Sequence, residues 1–233
     1  MLDPQYLPHL NNNYWYAQLS PDFQRYILEH AHLQHVQKEQ RIFLSGDAFD
    51  GMYAVLEGAV RLGYIDIQGK EAVAAIAEPI MWFGEISLVD QQPRSHDAIA
   101  IQKSTILHLP SASIQQLLHE HPQFWFHIAQ LTSQKLRFAF LELISIQTQN
   151  ISQRLAQRLL FILNGYGNHI EIEQHSIHMS QEQLAQLLVC SRQTVNQELQ
   201  ELEKRGVLKL AFRKIEILDT ALLHQIAYAW PHS

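Results

Sequence analysis

One stretch of the chain carries side chains suited to reading the edges of DNA bases. Arg192, Gln193, Asn196, Gln197 and Gln200 recur at helical spacing on one side, with Val195, Leu199 and Leu202 on the other. An arginine can bridge guanine O6 and N7, and glutamine or asparagine can bridge adenine N6 and N7. A helix that only faces water more often carries Glu/Lys pairs. The plainer alternative is a structural helix pair with a polar face. Histidine clusters offer a different chemistry, metal binding, but His30, His32 and His35 are spaced by two and three residues. That spacing does not match a helical i, i+4 pair, and no carboxylate or cysteine completes a set, so a solvated surface is expected there.

To hold such a reading helix, the neighbouring sequence must supply a rigid mount. Ser180 followed by Gln183 is a capping-box start, and Leu184, Leu187 and Leu188 give the helix after it an apolar face. Val189-Cys190 breaks it, and Ser191 is the N-cap of the reading helix. Lys204-Arg205-Gly206 ends that helix with cations in the last turn and a glycine terminator. Val207–Leu210 and Ile215–Leu218 then alternate as a β-ribbon tipped by Phe212-Arg213-Lys214. Helix, short turn, helix and basic-tipped ribbon make a winged helix-turn-helix.

Upstream, residues 123–149 contain neither proline nor glycine. At 1.5 Å per residue that is a rod of about 40 Å. Ala129, Thr132, Leu136, Ala139, Leu143 and Ile146 alternate three- and four-residue steps, which is an a/d seam. Phe124, Ile128, Leu131 and Phe138 form a second stripe. The first face is expected to pair with a second chain, the other to pack on its own domain. Asn150 to Leu163 is helical again, ending at the turn-rich Asn164–Asn168, and Ile170, Ile172, Ile177 and Met179 alternate as short strands.

From Arg41 to Pro110 the texture is short alternating runs broken by glycine and aspartate. Ile42–Leu44, Tyr53–Leu56, Val60–Ile65, Ala72–Ile76, Ile86–Val89, Asp97–Ile101 and Thr105–Leu109 read as strands, with turns at Ser45-Gly46-Asp47, Glu57-Gly58 and Asp66–Gly69. Such regular spacing indicates a β-sandwich or barrel. Gly58 is expected to supply a positive φ. A helical lead-in precedes this region, and a short helix runs from Ser111 to His119.

Composition sets the outer bounds. Of 233 residues, 47% are hydrophobic, enough for a true core. The net charge of −6 resides in residues 1–150, with 9 basic against 15 acidic side chains; residues 151–233 balance at 8 and 8. Any DNA binding therefore rests on local placement of Arg and Lys. No apolar run is long enough to span a bilayer, and no secretory signal is visible at the N-terminus. Cys190 is the single cysteine and has no internal disulfide partner, so a cytoplasmic location is expected.

Ser191-Arg192-Gln193-Thr194-Val195-Asn196, preceded by Leu184-Ala185-Gln186-Leu187-Leu188 and followed by Leu202–Leu208, resembles the helix-turn-helix of the Crp/Fnr regulators. The likeness extends over roughly residues 42–218. It implies base reading by Arg192, Gln193 and Gln197, a structural buried thiol at Cys190, a homodimer, double-stranded DNA as partner, and contact with RNA polymerase. In that family's β-roll a cyclic nucleotide such as cAMP lies against a cassette read here as Phe83-Gly84-Glu85-Ile86-Ser87, then Pro93-Arg94-Ser95. The resemblance implies a phosphate clamp at Arg94, further donors from Ser95 and the amides near Gly84, and a ribose 2′-hydroxyl contact at Glu85. Three positions depart from the pattern. Pro79–Trp82 lacks the usual glycine, His96-Asp97 stands where a small residue follows Arg-Ser, and Ala139 and Phe140 stand where cAMP-responsive relatives place hydroxyls. Phe140 is read either as stacking on a base or as filling the pocket.

Iron–sulfur members of the family need four cysteines, which excludes that cofactor here, and His96 alone is a poor basis for haem. A cupin-like metal enzyme would need a His-x-His pair with a nearby Glu; the strand region offers only His96 and His108. The chain is thus expected to be no enzyme. It reads as an α+β protein: a helical lead-in (1–40), an antiparallel, jelly-roll-like β-roll (41–121), a long dimerisation helix (122–150) and a winged helix-turn-helix (151–233). A regulator of this fold without cyclic-nucleotide binding is the other reading.

Overall fold

A computed structural model describes residues 4–65, 67–68, 71–167, 175–212 and 214–228. The expected strand at Ile170 and Ile172 and the ribbon-tip Arg213 lie outside them, as do Asp66 and Gly69 of the expected turn. The chain forms two compact units, divided between Leu136 and Arg137.

The first unit starts with three short helices, α1 (Leu7–Asn11), α2 (Tyr14–Ala17) and α3 (Pro21–His30). Two are started by side chains that satisfy otherwise orphaned amides: Asn13 Oδ1 accepts from Tyr16 N, and Ser20 Oγ accepts from Phe23 N. The helical lead-in ends at His30, however. His32–Val36 is a strand, β1, not more helix, and it pairs antiparallel with residues near 105, from His32↔His108 to Val36↔Ser104. His32 and His35 consequently alternate on a sheet edge.

Strands β2 (Arg41–Phe43), β3 (Gly51–Glu57), β4 (Val60–Ile65), β5 (Glu71–Ala77) and β6 (Trp82–Phe83) follow, then helix α4 (Ile86–Asp90), β7 (Asp97–Ala100) and β8 (Ser104–Pro110). They build two four-stranded antiparallel sheets, ordered β1-β8-β3-β6 and β2-β7-β4-β5. This is the expected β-roll with three departures: β1 and β6, neither of them expected as strands, join one sheet, and one expected strand is missing. Ile86–Val89 alternates like a strand but is helical, because Gly84 at φ +93° turns the chain out of β6 and Glu85 already adopts helical angles. Gly58 sits at φ +88° in the turn between β3 and β4, and an added Cβ would lie 2.2 Å from Ser104 Oγ.

Helix α5 (Ser111–Glu120) and the long helix α6 (Phe124–Thr148) close the unit. Phe124, Ile128 and Leu131 are buried with Leu10, Trp15, Tyr16 and Ile27 of the lead-in and Trp82 and Leu107 of the sheets. Each such side chain contributes about 1.5–3 kcal/mol on burial. The same helix leaves Ala129 and Leu136 exposed, so the two stripes have separate fates.

In the second unit, the rest of α6 again leaves its seam bare: Ala139, Leu143 and Ile146 are exposed. Helix α7 (Ile151–Leu163) follows a two-residue break. Asn150 caps it reciprocally with Gln153, each side chain accepting from the other's backbone amide. Strand β9 (Ser176–Ile177), helices α8 (Gln181–Leu188) and α9 (Arg192–Lys204), strands β10 (Leu208–Ala211) and β11 (Lys214–Ile217), and helix α10 (Thr220–Ala227) complete it. The three strands form one antiparallel sheet ordered β10-β11-β9. The expected capping box at Ser180 and Gln183 is present, Ser191 Oγ accepts from Thr194 N, and Gly206 stands at φ +72°. Helix α10 has no counterpart in the expectation.

Candidate effector pocket and nucleic-acid interface

The cassette residues Gly84, Glu85 and Arg94 come together at the junction of β6, α4 and the loop before β7. Arg94 is buried. Its Nη2 donates to Asp50 Oδ1 at 2.5 Å and to the Gly51 carbonyl at 2.6 Å, and its Nη1 donates to the Gly84 carbonyl at 2.7 Å. The guanidinium lies 4.2 Å from the Phe43 ring centroid and 5.0 Å from that of Phe49, a cation–π setting that helps offset its desolvation. Gly84 makes the approach feasible: a Cβ there would stand 2.9 Å from Arg94 Nη1.

Glu85 is 1% exposed, and its Oε2 accepts from Lys135 Nζ at 2.5 Å. Ser95 is exposed, with Oγ 2.9 Å from His96 Nδ1. Burial and the Lys135 charge push the His96 pKa down, with Glu85 opposing and Arg94 adding to the effect. Among the described residues, the buried side-chain atoms lacking a hydrogen-bond partner include Glu85 Oε1, Arg94 Nε and His96 Nε2. An acceptor, a donor and a ring nitrogen are left unfilled in one cluster. Buried polar atoms are rarely abandoned this way, and an absent ligand or water is the usual reason.

Asp50, Lys135 and Phe43 were not readable as site members from the sequence, because each meets its partner across forty or more residues. For Asp50, burial raises the carboxyl pKa, but hydrogen bonds from Tyr53 and Arg94 outweigh it and hold the group below its ordinary value. Tyr53 OH donates to Asp50 Oδ2 at 2.5 Å, and burial together with that carboxylate raises the phenol's pKa. Phe140 belongs to the second unit and is exposed. A separate open cavity of about 710 Å³ lies beside the cassette helix, lined by Phe49, Leu88, Gln92, Pro93, His119 and Trp125 among others. It contains neither Glu85 nor Arg94.

In the second unit, α9 presents Arg192, Gln193, Gln197 and Gln200 to solvent, while Val195, Leu199 and Leu202 are buried. Asn196 is half-buried and accepts from Gln181 Nε2 at 3.0 Å, so its side-chain oxygen is engaged within the fold. Ser191 is the helix cap, its hydroxyl bonded to Thr194. Lys214 begins β11 beside the ribbon tip and is half-buried. Helix α8 packs on α7 partly through arginines: Arg154 Nη2 donates to the Leu188 carbonyl at 2.6 Å, and Arg158 bonds Glu142 and the Leu187 carbonyl.

Two family models match this chain. Residues 33–121 match the cyclic nucleotide-binding domain, and residues 153–226 match the Crp-like helix-turn-helix domain. A Cyclic AMP receptor protein of Thermus thermophilus is 34% identical over 188 residues, spanning 80% of this chain and 84% of that protein. The chain belongs to the Crp/Fnr family of transcriptional regulators. Solved structures agree on the fold. A CRP/FNR-family transcriptional regulator from Thermus thermophilus is 26% identical with a TM-score of 0.63, covering 84% of this chain and 98% of that one. FixK2 from Bradyrhizobium japonicum has a TM-score of 0.74 at 21% identity, covering 84% and 96%. This Crp/Fnr chain is thus a helix-turn-helix regulator with a cyclic nucleotide-binding domain. No described helix is long and apolar enough to cross a membrane.

Proposed function

We propose that this regulator works as a homodimer that binds a cyclic nucleotide in its β-roll and reads double-stranded DNA with α9 of each protomer. The observation that carries the ligand half is the unfilled set at Glu85 Oε1, Arg94 Nε and His96 Nε2. A cyclic phosphate oxygen accepts from Arg94 and from Ser95, and a ribose hydroxyl donates to Glu85. Because Glu85 is already held by Lys135 of α6, a ligand at Glu85 acts directly on the long helix. The relatives named cyclic AMP receptor protein and cAMP-activated global regulator make cAMP the first ligand to test.

On the DNA side, Arg192, Gln193 and Gln197 contact base edges, with Lys214 and its sequence neighbour Arg213 on the phosphate backbone. Asn196, tied to Gln181, orients the helix pair. Thr132, Leu136, Ala139, Leu143 and Ile146 form the dimer seam, which brings two reading helices to half-sites about one helical turn apart. Residues 1–31 serve as lead-in, 32–121 as effector domain, 122–150 as dimerisation helix and 151–233 as reading head, the effector domain taking in β1. RNA polymerase contact and a cytoplasmic setting follow from this role, and no catalysis is assigned.

One observation favours a second reading, a regulator of this fold that does not respond to cyclic nucleotides: Arg94 already has Asp50 as a counter-ion and two carbonyl acceptors. Calorimetry of the full chain with cAMP and cGMP separates the two. Binding that is lost in Arg94→Ala supports the first, and no heat with either nucleotide supports the second. Selection from a palindromic duplex library tests the DNA half; absence of sequence-selective binding would sink it. Leu136→Glu is expected to leave a single chain in sedimentation.

A further inference from the structure

His96 is the residue of the pocket that the family pattern does not supply, and its surroundings are unusual. Its Nδ1 is bonded to Ser95 Oγ, so the ring is fixed by the same hydroxyl that faces solvent at the mouth of the cassette. Its Nε2 is buried and unpartnered. The edge of the ring packs on Phe43, whose face carries the Arg94 guanidinium. Four charged groups act on it: Lys135 from the long helix, Glu85 at the start of the cassette helix, and Arg94 and Asp97 from its own loop and strand.

We propose that His96 is a proton-linked positioning residue for an anionic ligand: it orients Ser95 Oγ toward a phosphate held by Arg94, and it takes up a proton from solvent as that phosphate arrives. The inference rests on the effector pocket proposed above and adds a regulation to it. Without ligand, burial and the Lys135 and Arg94 cations keep the imidazole neutral, since a third positive charge in a desolvated cluster is costly. A phosphate monoanion on Arg94 cancels part of that positive field. In the neutral ring Nδ1 accepts the Ser95 hydroxyl hydrogen; the proton taken up goes to Nδ1, so that Nδ1–H donates to Ser95 Oγ and the Ser95 hydroxyl is freed to donate to the phosphate. Each hydrogen bond in that relay has one donor and one acceptor.

The sign of the linkage follows. The histidine has a low pKa in the free protein and a higher one in the complex, so the ligand prefers the protonated form. Affinity is flat well above the bound-state pKa, rises as pH falls through it, and levels off below the free-state pKa. The chain would then respond more strongly to the same ligand concentration in a mildly acidic cell.

The test is calorimetric titration of the 233-residue protein with cyclic AMP at about pH 6 and about pH 8, either side of the ordinary histidine pKa, in buffers of different ionisation enthalpy. The wild type is expected to bind roughly three- to tenfold more tightly at the lower pH, with fractional proton uptake. His96→Gln puts an amide that cannot titrate in place of the imidazole; whatever its affinity at the higher pH, it should show no gain at the lower pH and no proton uptake. If His96→Gln fails to fold, the wild-type ring proton resonances serve instead, with one histidine titrating at higher pH when cyclic AMP is present. Binding that is lost in Arg94→Ala yet is equally pH-dependent in wild type and His96→Gln overturns this inference and leaves the pocket standing. The proton linkage is likewise overturned, and the pocket kept, if cyclic AMP binds but no histidine resonance shifts its titration. No binding of cyclic AMP at either pH overturns the pocket and this inference together.

Discussion

The effector cassette and the reading helix place polar chemistry in opposite surroundings. Glu85 and Arg94 are almost wholly buried and tied into the fold, Glu85 to Lys135 and Arg94 to Asp50, Gly51 and Gly84. Arg192, Gln193 and Gln197 stand in water on a helix held mainly by its other face. The difference separates two ways of building specificity. Under the function proposed above, recognition and folding share the same side chains in the cassette, so a substitution alters both. On the reading helix they are divided, and the target sequence can change while the fold stays intact.

That contrast can be broken in graded steps. The largest effect is expected from Arg94→Ala, which leaves Asp50 without its counter-ion and two carbonyls without donors. Stability should fall by about 3 kcal/mol in urea denaturation, because an unpaired buried partner is what costs most. Loss of ligand binding without any loss of stability would collapse the distinction drawn for the cassette.

A second step uses pH. Burial raises the Glu78 carboxyl to about 7. A carboxyl raised in the folded state favours folding while protonated, so stability should be highest near pH 5 and decline as pH rises through 7. The loss should reach about 2 kcal/mol relative to Glu78→Gln. Parallel stability profiles for the two proteins would show that Glu78 plays no part in it. On the reading helix, Arg192→Ala should weaken the preferred duplex by about 1–3 kcal/mol and relax selectivity at one base pair. Its unfolding midpoint should stay put, within about 0.5 kcal/mol. A destabilised Arg192→Ala would show that the helix mixes recognition with folding after all. The smallest effect belongs to Ser191→Ala, which removes the cap at Thr194 N and should cost about 1 kcal/mol of stability.

What the sequence made legible were features determined by a few adjacent residues. The reciprocal cap of Ser180 and Gln183, the cap at Ser191 and the positive φ of Gly58 and Gly206 are local events, and residue type alone specifies them. The two stripes of α6 were readable for the same reason, since helical periodicity needs no knowledge of a partner. Elsewhere local signal misled. His32–Val36 has weak strand composition and becomes a strand because residues near 105 offer it an edge. Ile86–Val89 has strand-like alternation and becomes a helix because the glycine before it redirects the chain. The cassette residues were visible as types in a pattern, but their partners were not. Lys135 lies fifty residues from Glu85, and Asp50 forty-four from Arg94. Whether a buried arginine is free or already paired depends on the fold, and no local spacing reveals it.

Trp82 immediately precedes the cassette, and its indole stacks over Tyr16 and lies 5.2 Å from that of Trp15. The indole N–H of Trp82 is buried and unpartnered. The first unit therefore contains a built-in optical probe: a pair of close, shielded indoles, one of them a single residue from Phe83 and two from Gly84. Glu85 follows this chromophore by three residues, and Arg94 bonds the Gly84 carbonyl two residues from it. The emission of the unlabelled protein should follow occupancy of the cassette in real time.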